Sequence, residues 1–130
     1  MIVNKDELFT IEHINVNGIN IQYDLVELEH VLRTMINMEA SIFSVNEHTI
    51  NCNNKSVRKK IDDLYATLDS HGKLSLSSNT HTSIQKTWQP GGALLGVNAK
   101  WRSRMISTGA DSMGRWAWAD FRGKEKTTIN

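Results

Sequence analysis

The hydrophobic pattern at the start of the chain changes from strand-like to helical and back. Residues 8–17 mix large apolar and polar side chains and predict a strand, which Gly18 breaks. Apolar residues then recur at helical spacing, which predicts an amphipathic helix over residues 25–38. Residues 41–46 predict a second, short strand. A strand–helix–strand unit of this kind predicts two parallel strands whose carboxyl ends meet at one edge of a sheet.

A second helix follows the second strand. Asn53 or Asn54 can cap it, its apolar stripe predicts a helix near residues 55–70, and Gly72 can end it. Residues 73–78 predict a third strand. Together with the first unit, these elements predict the α/β class, with the two helices flanking a parallel pair of strands.

The helical periodicity disappears from about residue 79, and the rest of the chain predicts mostly antiparallel strands. A polar loop over residues 79–89 leads to Pro90, and residues 109–114 are rich in turn-forming residues. The strands predicted in this part are residues 93–98, 101–107, 115–122 and 127–130.

Composition indicates one modest domain. The chain has 130 residues, of which 39% are hydrophobic and 22% are charged. Cys52 is the only cysteine, so a disulfide cannot form within the chain. Because no apolar run approaches 18 residues and no signal-peptide pattern is present, we expect a soluble intracellular protein that spans no membrane. These features do not distinguish a nuclear from a cytoplasmic location.

The net charge of +1 conceals an uneven distribution. Residues 1–85 carry 7 Lys/Arg and 11 Asp/Glu, whereas residues 86–130 carry 8 Lys/Arg and 3 Asp/Glu. All four tryptophans lie in the basic part. A basic, aromatic surface suits a polyanion such as nucleic acid, but aromatic side chains are mostly buried, so we also expect tryptophans in the core.

Two polar residues follow the predicted parallel strands. Asn15 lies near the end of the first strand and Glu47 directly after the second. If the strands are parallel neighbours, an amide oxygen and a carboxylate lie side by side, and such oxygen ligands suit Mg²⁺. The alternative is an asparagine that makes a turn beside a solvated glutamate.

Four stretches resemble the endonuclease/exonuclease/phosphatase superfamily, which has the deoxyribonuclease-I-like fold. Their order is similar to that in the endonuclease domains attached to reverse transcriptases in non-LTR-type retroelements. The stretches are Ile14-Asn15-Val16-Asn17-Gly18, Ser44-Val45-Asn46-Glu47-His48, Trp88-Gln89-Pro90-Gly91-Gly92 and Gly114-Arg115-Trp116-Ala117-Trp118.

The resemblance implies that Glu47 is a ligand of Mg²⁺ or Mn²⁺ and that Asn15 helps to organise the metal site. The superfamily domain is about twice as long, and its second half supplies an Asp/Asn pair and a late Asp-His pair. Nothing in this sequence matches those pairs. We therefore expect residues 1–130 to form a single incomplete domain, the amino-terminal half of such a fold. The resemblance implies a partial α/β sandwich with a mixed sheet and helices on the outer face, and weak metal binding in the absence of substrate.

Four basic residues are candidate contacts to DNA phosphates: Arg115, Lys100, Arg102 and Arg104. The alternative for each is a solvated charge on a strand face.

The resemblance implies a fragment of a Mg²⁺-dependent phosphodiesterase that nicks DNA and lacks activity by itself. Its partners would be the DNA backbone and the missing carboxy-terminal half or a reverse transcriptase domain in a longer product. The alternatives are a non-enzymatic nucleic-acid-binding module, a remnant without function, and a phosphatase of the same superfamily.

Overall fold

The computed structural model describes residues 9–21 and 25–122, and the backbone alone of residues 128 and 129. The first part consists of β1 (Ile11–Asn15), α1 (Val26–Asn37), β2 (Ile42–Asn46), α2 (Lys55–Leu68) and β3 (Lys73–Ser77). The second part consists of β4 (Ala93–Val97), the short helix α3 (Ala99–Arg102), β5 (Met105–Ala110), β6 (Ala117–Arg122) and β7 (Thr128–Ile129).

The strands form two sheets. The first sheet is mixed and has the order β1-β2-β4-β3, in which β1 and β2 are parallel and β4 is antiparallel to both β2 and β3. The second sheet has the order β5-β6-β7 and is antiparallel. The α/β class, the mixed sheet, the parallel pair and the antiparallel later part are thereby confirmed.

Both long helices bury an apolar stripe against one face of the first sheet. Helix α1 buries Leu28, Leu32 and Met35, which helical spacing brings to one side. Helix α2 buries its own stripe in the same core, and Phe43 and Val45 of β2 meet it from the sheet. This core closes one side of the sheet and leaves the carboxyl ends of β1 and β2 at its edge.

Helix α2 begins at the second of its two candidate capping residues. The Asn54 side chain accepts a hydrogen bond from the Val57 N–H at 3.1 Å. Asn53 instead donates its side-chain amide to the Asn79 carbonyl at 2.6 Å. The neighbouring asparagines therefore have different tasks, one capping the helix and the other holding the loop that follows β3.

The second sheet lies near the opposite face of β3 and β4 through a partly polar contact. The hydroxyls of Ser75 and Thr108 share a hydrogen bond, and the Ser77 hydroxyl donates to the Asp111 carbonyl at 2.8 Å. Among the residues that the structure describes, β1 is the edge strand of the first sheet, and its Ile11 is 69% exposed.

One predicted strand is wrong over its first half. Residues 101–107 were expected to be extended, but α3 occupies Ala99–Arg102 and β5 begins only at Met105. The reason is local: the Asn98 side chain accepts the Lys100 N–H at 2.8 Å and caps a helical turn. Strand β5 also continues to Ala110, through a glycine that gives the Trp118 ring room to lie across the strand.

Candidate metal centre

Asn15 and Glu47 lie at the carboxyl ends of two parallel neighbouring strands. Asn15 is the register partner of Asn46, and Glu47 is the next residue along. Neighbouring strands are about 4.8 Å apart, so the two backbones are side by side at this edge. Both side chains are exposed. The structure thus brings the two candidate residues to one edge of the first sheet, although it is the resemblance that assigns them a metal.

A continuous run of backbone hydrogen bonds joins the four stretches that resemble the superfamily. The Gly18 N–H donates to the Glu47 carbonyl at 2.7 Å, and the Glu47 N–H donates to the Gly92 carbonyl at 2.8 Å. The Gly92 N–H in turn donates to the Gly114 carbonyl at 3.0 Å. We call this run the motif ladder. Residues of four separate stretches, from Gly18 to Gly114, therefore meet at one edge of the sheet.

The backbone at the motif ladder is held in an uncommon conformation. Asn17, Glu47 and Thr49 have φ values of 50°, 56° and 59°, in the left-handed region that side chains with a Cβ seldom occupy. Such residues cost of order 1 kcal/mol or more each and tend to cluster at functional sites. The only other described non-glycine residue of this kind, Glu39, lies before β2, at the opposite end of that strand.

Few side chains at this edge could bind a metal ion, and those that could would bind it through oxygen atoms. The Asn15 side-chain oxygen accepts the Asn17 N–H at 3.0 Å, which fixes the amide and leaves its second lone pair and its NH₂ group for other partners. Glu47 supplies one carboxylate. Within residues 9–21 and 25–122, no three His, Cys, Asp or Glu side chains gather into a metal-binding group. One carboxylate with an amide suits Mg²⁺, which keeps several waters, and does not suit Zn²⁺, which needs three or four protein ligands.

His48 is a fully buried structural residue beside this exposed pair. Its Nδ1 accepts the Ile50 N–H at 2.9 Å, and its ring lies against Gly92, where an added Cβ would fall 2.3 Å from the ring. Burial lowers the pKa of His48 to about 4, an effect that the nearby backbone of Ala93 and Ser77 partly offsets. His48 is therefore neutral at pH 7, and its buried ring packs against Gly92 of the motif ladder.

Gln89 of the third stretch also has a structural task. Its buried side chain accepts the Asn79 N–H and donates to the Asn79 carbonyl, at 2.5 and 3.1 Å. It also donates to the Asn51 side chain at 3.0 Å, and Asn51 donates onward to the carbonyls of Ser83 and Lys86. This network attaches the loop of residues 79–89 to the sheet and so fixes the backbone that leads into Gly92.

The four candidate phosphate contacts do not lie together. Arg115 is next to Gly114 in the motif ladder, where it binds Asp111 at 2.8 Å and stacks on Trp116 at 4.4 Å. Its guanidinium holds the pKa of Asp111 below the usual value.

Lys100, Arg102 and Arg104 lie at the opposite edge of the first sheet. They follow β4, which runs antiparallel to β2, and the nearby Asn98 N–H reaches the Ser41 carbonyl at the amino end of β2. Arg102 donates to the Gly72 carbonyl at 2.9 Å, Arg104 lies 5.1 Å from the Trp101 ring, and Lys100 is exposed. Of the four, only Arg115 belongs to a stretch that the motif ladder joins.

Three of the four tryptophans are on the surface, so the expectation that they belong to the core is wrong for these three. Trp88, Trp116 and Trp118 are 60%, 51% and 44% exposed. Trp101 is half-buried and packs edge-on against Phe9 at 5.0 Å.

A groove that the sequence did not reveal adjoins the motif ladder. It has a volume of about 700 Å³ and is lined by Gly18, Ile19, Asn20, Ile21, Glu27, Thr49, Thr87 and Trp88. The only sequence signal was Trp88 itself, an aromatic residue at the end of a polar loop.

Comparison with known proteins does not assign the chain. No protein-family model matches the sequence, and no curated protein matches it significantly. In the part of the chain that the structure describes, none of the helices has the length and apolar character needed to cross a membrane.

Proposed function

We propose that the chain carries the metal-binding half of a Mg²⁺-dependent phosphodiesterase that nicks DNA, with a partial deoxyribonuclease-I-like fold. The motif ladder is the observation that supports this proposal. Four stretches chosen for their resemblance to one superfamily are joined to one another by backbone hydrogen bonds, from Gly18 through Glu47 and Gly92 to Gly114. The strand–helix–strand unit by itself brings the first two stretches together, so the support comes from the third and fourth stretches, which join them through Gly92 and Gly114.

The proposed chemistry assigns a task to each side chain at this edge. The Glu47 carboxylate holds Mg²⁺ or Mn²⁺, and Asn15 orients bound water or a phosphate oxygen with its fixed amide. When bound, the metal neutralises charge that develops on the phosphate and on the leaving oxygen. Arg115 can contact a neighbouring phosphate, although its ion pair with Asp111 offsets part of its charge.

Turnover needs groups for which this sequence has no match. A phosphodiester is hydrolysed only if water is activated and the leaving oxygen is stabilised, and the superfamily draws those groups from its second half. We therefore expect little or no nicking by the 130 residues alone.

The proposal is tested by the metal dependence of DNA binding. Mg²⁺ held by Glu47 would bridge the protein to a phosphate, so the affinity for a fluorescein-labelled duplex should be severalfold higher in Mg²⁺ than in EDTA. Glu47→Gln should abolish that difference, because an amide is a much poorer ligand than a carboxylate. Fluorescence anisotropy measures both affinities.

Glu39→Gln is the matched control. Glu39 shares the left-handed backbone conformation of Glu47 and lies before β2 rather than after it, so this variant should keep the metal dependence of the wild type. An affinity that is equal in Mg²⁺ and EDTA for the wild type would refute the metal-binding role.

The second candidate function is a non-enzymatic nucleic-acid-binding module. The exposure of Trp88, Trp116 and Trp118 favours it, because surface tryptophans stack on bases without any metal. In that case the affinity for DNA falls as salt rises and is no higher in Mg²⁺ than in EDTA.

A further inference from the structure

An exposed tryptophan on firmly held backbone lines the groove beside the motif ladder. Trp88 is 60% exposed, yet its backbone is firmly held, because it pairs with Ile50 in an antiparallel bridge. The flanking hydrogen bonds run from the Asn51 N–H to the Thr87 carbonyl and from the Gln89 N–H to the Thr49 carbonyl, at 3.0 and 3.2 Å. The indole is therefore presented to solvent by a fixed piece of backbone, which lowers the entropic cost of binding a flat ligand.

The rest of the lining is polar enough to hold a nucleobase. Thr49, Thr87 and Glu27 face the groove, and Glu27 is fixed by accepting the Asn20 N–H at 2.8 Å. A carboxylate of this kind accepts hydrogen bonds from the exocyclic amino group of a base. The volume of about 700 Å³ is in the range of small-molecule sites and exceeds what one base needs.

The groove also shares its backbone with the candidate metal centre. Gly18 lines the groove and donates to the Glu47 carbonyl at 2.7 Å. Ile19 is bonded to the segment after Glu47, through the His48 carbonyl at 3.0 Å and the Thr49 hydroxyl at 3.3 Å. Thr49, which also lines the groove, is two residues after Glu47, and its carbonyl accepts the Gln89 N–H next to Trp88, so a strand with a phosphate at Glu47 would have a nearby base at Trp88.

We infer that this groove binds an unpaired nucleobase of the DNA strand whose phosphate lies at Asn15 and Glu47, with the base stacked on Trp88. The inference rests on the proposed function for the position of the phosphate. A base inside a duplex has both faces covered by its neighbours, so the site takes single-stranded, frayed or extruded nucleotides. The substrate class is then DNA with an unpaired base at or next to the scissile phosphate.

The test compares two probes of equal length on the full chain in Mg²⁺, a labelled single-stranded oligodeoxycytidylate and a labelled blunt duplex, because cytosine carries the exocyclic amino group that the Glu27 carboxylate can accept from. Trp88→Ala should weaken binding of the single strand by about tenfold, because stacking of one base on an aromatic side chain is lost. Its effect on the duplex should be less than about twofold. Trp88→Tyr keeps an aromatic face and should restore most of the affinity for the single strand.

Phe9→Ala is the matched control, because Phe9 is 43% exposed but lies before β1, at the opposite end of that strand from the groove. The inference is overturned if Trp88→Ala binds the single strand as well as the wild type, if Phe9→Ala causes the same loss, or if the wild type binds neither probe. Thermal unfolding followed by circular dichroism shows whether each variant is folded.

The two proposals fail in different ways. Loss of metal dependence in Glu47→Gln with no effect of Trp88→Ala overturns the base site and leaves the metal site standing. A selective loss of single-strand binding in Trp88→Ala, without any metal dependence in the wild type, supports the base site and refutes the metal-binding role.

Discussion

At the scale of single residues, one backbone conformation separates Glu47 from His48. Strand alternation after Val45 would direct Glu47 into the core and His48 outward. The φ of 56° at Glu47 breaks the alternation, so the carboxylate is exposed and the imidazole is buried. The same turn lets the Glu47 N–H and carbonyl join the motif ladder. Sequence alone predicts the position of Glu47 but not this reversal, because nothing in the residue type signals a left-handed glutamate.

Buried His48 makes stability depend on pH. In the folded chain its pKa is about 4, whereas in the unfolded chain it has the ordinary histidine pKa of 6.5. The unfolded state therefore takes up a proton first as the pH falls, and the stabilisation that is complete above pH 6.5 is lost towards pH 4. Between pH 7 and 5 we expect the free energy of unfolding to fall by about 2 kcal/mol on account of this group.

Urea denaturation at pH 7 and pH 5 measures that fall. In His48→Gln, most of the difference in the free energy of unfolding between pH 7 and pH 5 should disappear, whatever the absolute stability of the variant. His30→Gln, at an exposed position of α1, should keep it. An unchanged pH dependence in His48→Gln would mean that His48 is not the group responsible.

At the scale of elements, periodicity predicted the first half of the chain well. Helices α1 and α2 and the strands β1 to β3 appear where the apolar spacing placed them, because amphipathic patterns record which face must be buried. The short helix α3 was missed, since four residues are too few to show a helical period and the capping role of Asn98 depends on its local geometry. The polar loop before Pro90 was predicted, but its attachment to the sheet was not.

The loop of residues 79–89 depends on Gln89. Gln89→Ala should lower the free energy of unfolding by about 2 kcal/mol, because the backbone of Asn79 and the side chain of Asn51 lose buried hydrogen-bond partners. Gln85→Ala removes the same side chain from an exposed position of the same loop and should cost less than about 0.5 kcal/mol. Urea denaturation measures both. Equal effects of the two substitutions would contradict the role of the buried network.

At the scale of the whole molecule, the basic second part of the sequence is not one binding surface. Arg115 lies at the motif ladder, but Lys100, Arg102 and Arg104 lie beyond β4, a strand about 17 Å long. A charge count along the sequence could not reveal this. Strand β4 begins beside the carboxyl end of β2 and ends beside its amino end, so residues before and after β4 lie at opposite ends of the strands. The exposure of the tryptophans was also unpredictable from composition, since the burial of an aromatic side chain depends on which elements pack against it.

The pairing of Asn15 with the segment of Glu47 was predictable, because a strand–helix–strand unit brings carboxyl ends to one edge. The convergence of Gly92 and Gly114 on the same edge was not predictable from periodicity, since it depends on long-range pairing between loops. The strand ends with Asn15 and Glu47 and the loop residues Gly92 and Gly114 together form the candidate metal centre. The central claim is that Glu47 holds a divalent cation there.

Direct titration with Mn²⁺, followed by the electron paramagnetic resonance signal of the free ion, tests that claim most directly. We expect the wild-type chain to bind Mn²⁺ weakly at one site and Mg²⁺ to displace it. Glu47→Gln should weaken binding about tenfold or more, whereas Glu39→Gln should bind as the wild type does. Mn²⁺ binding that is the same in Glu47→Gln and in the wild type would contradict the account.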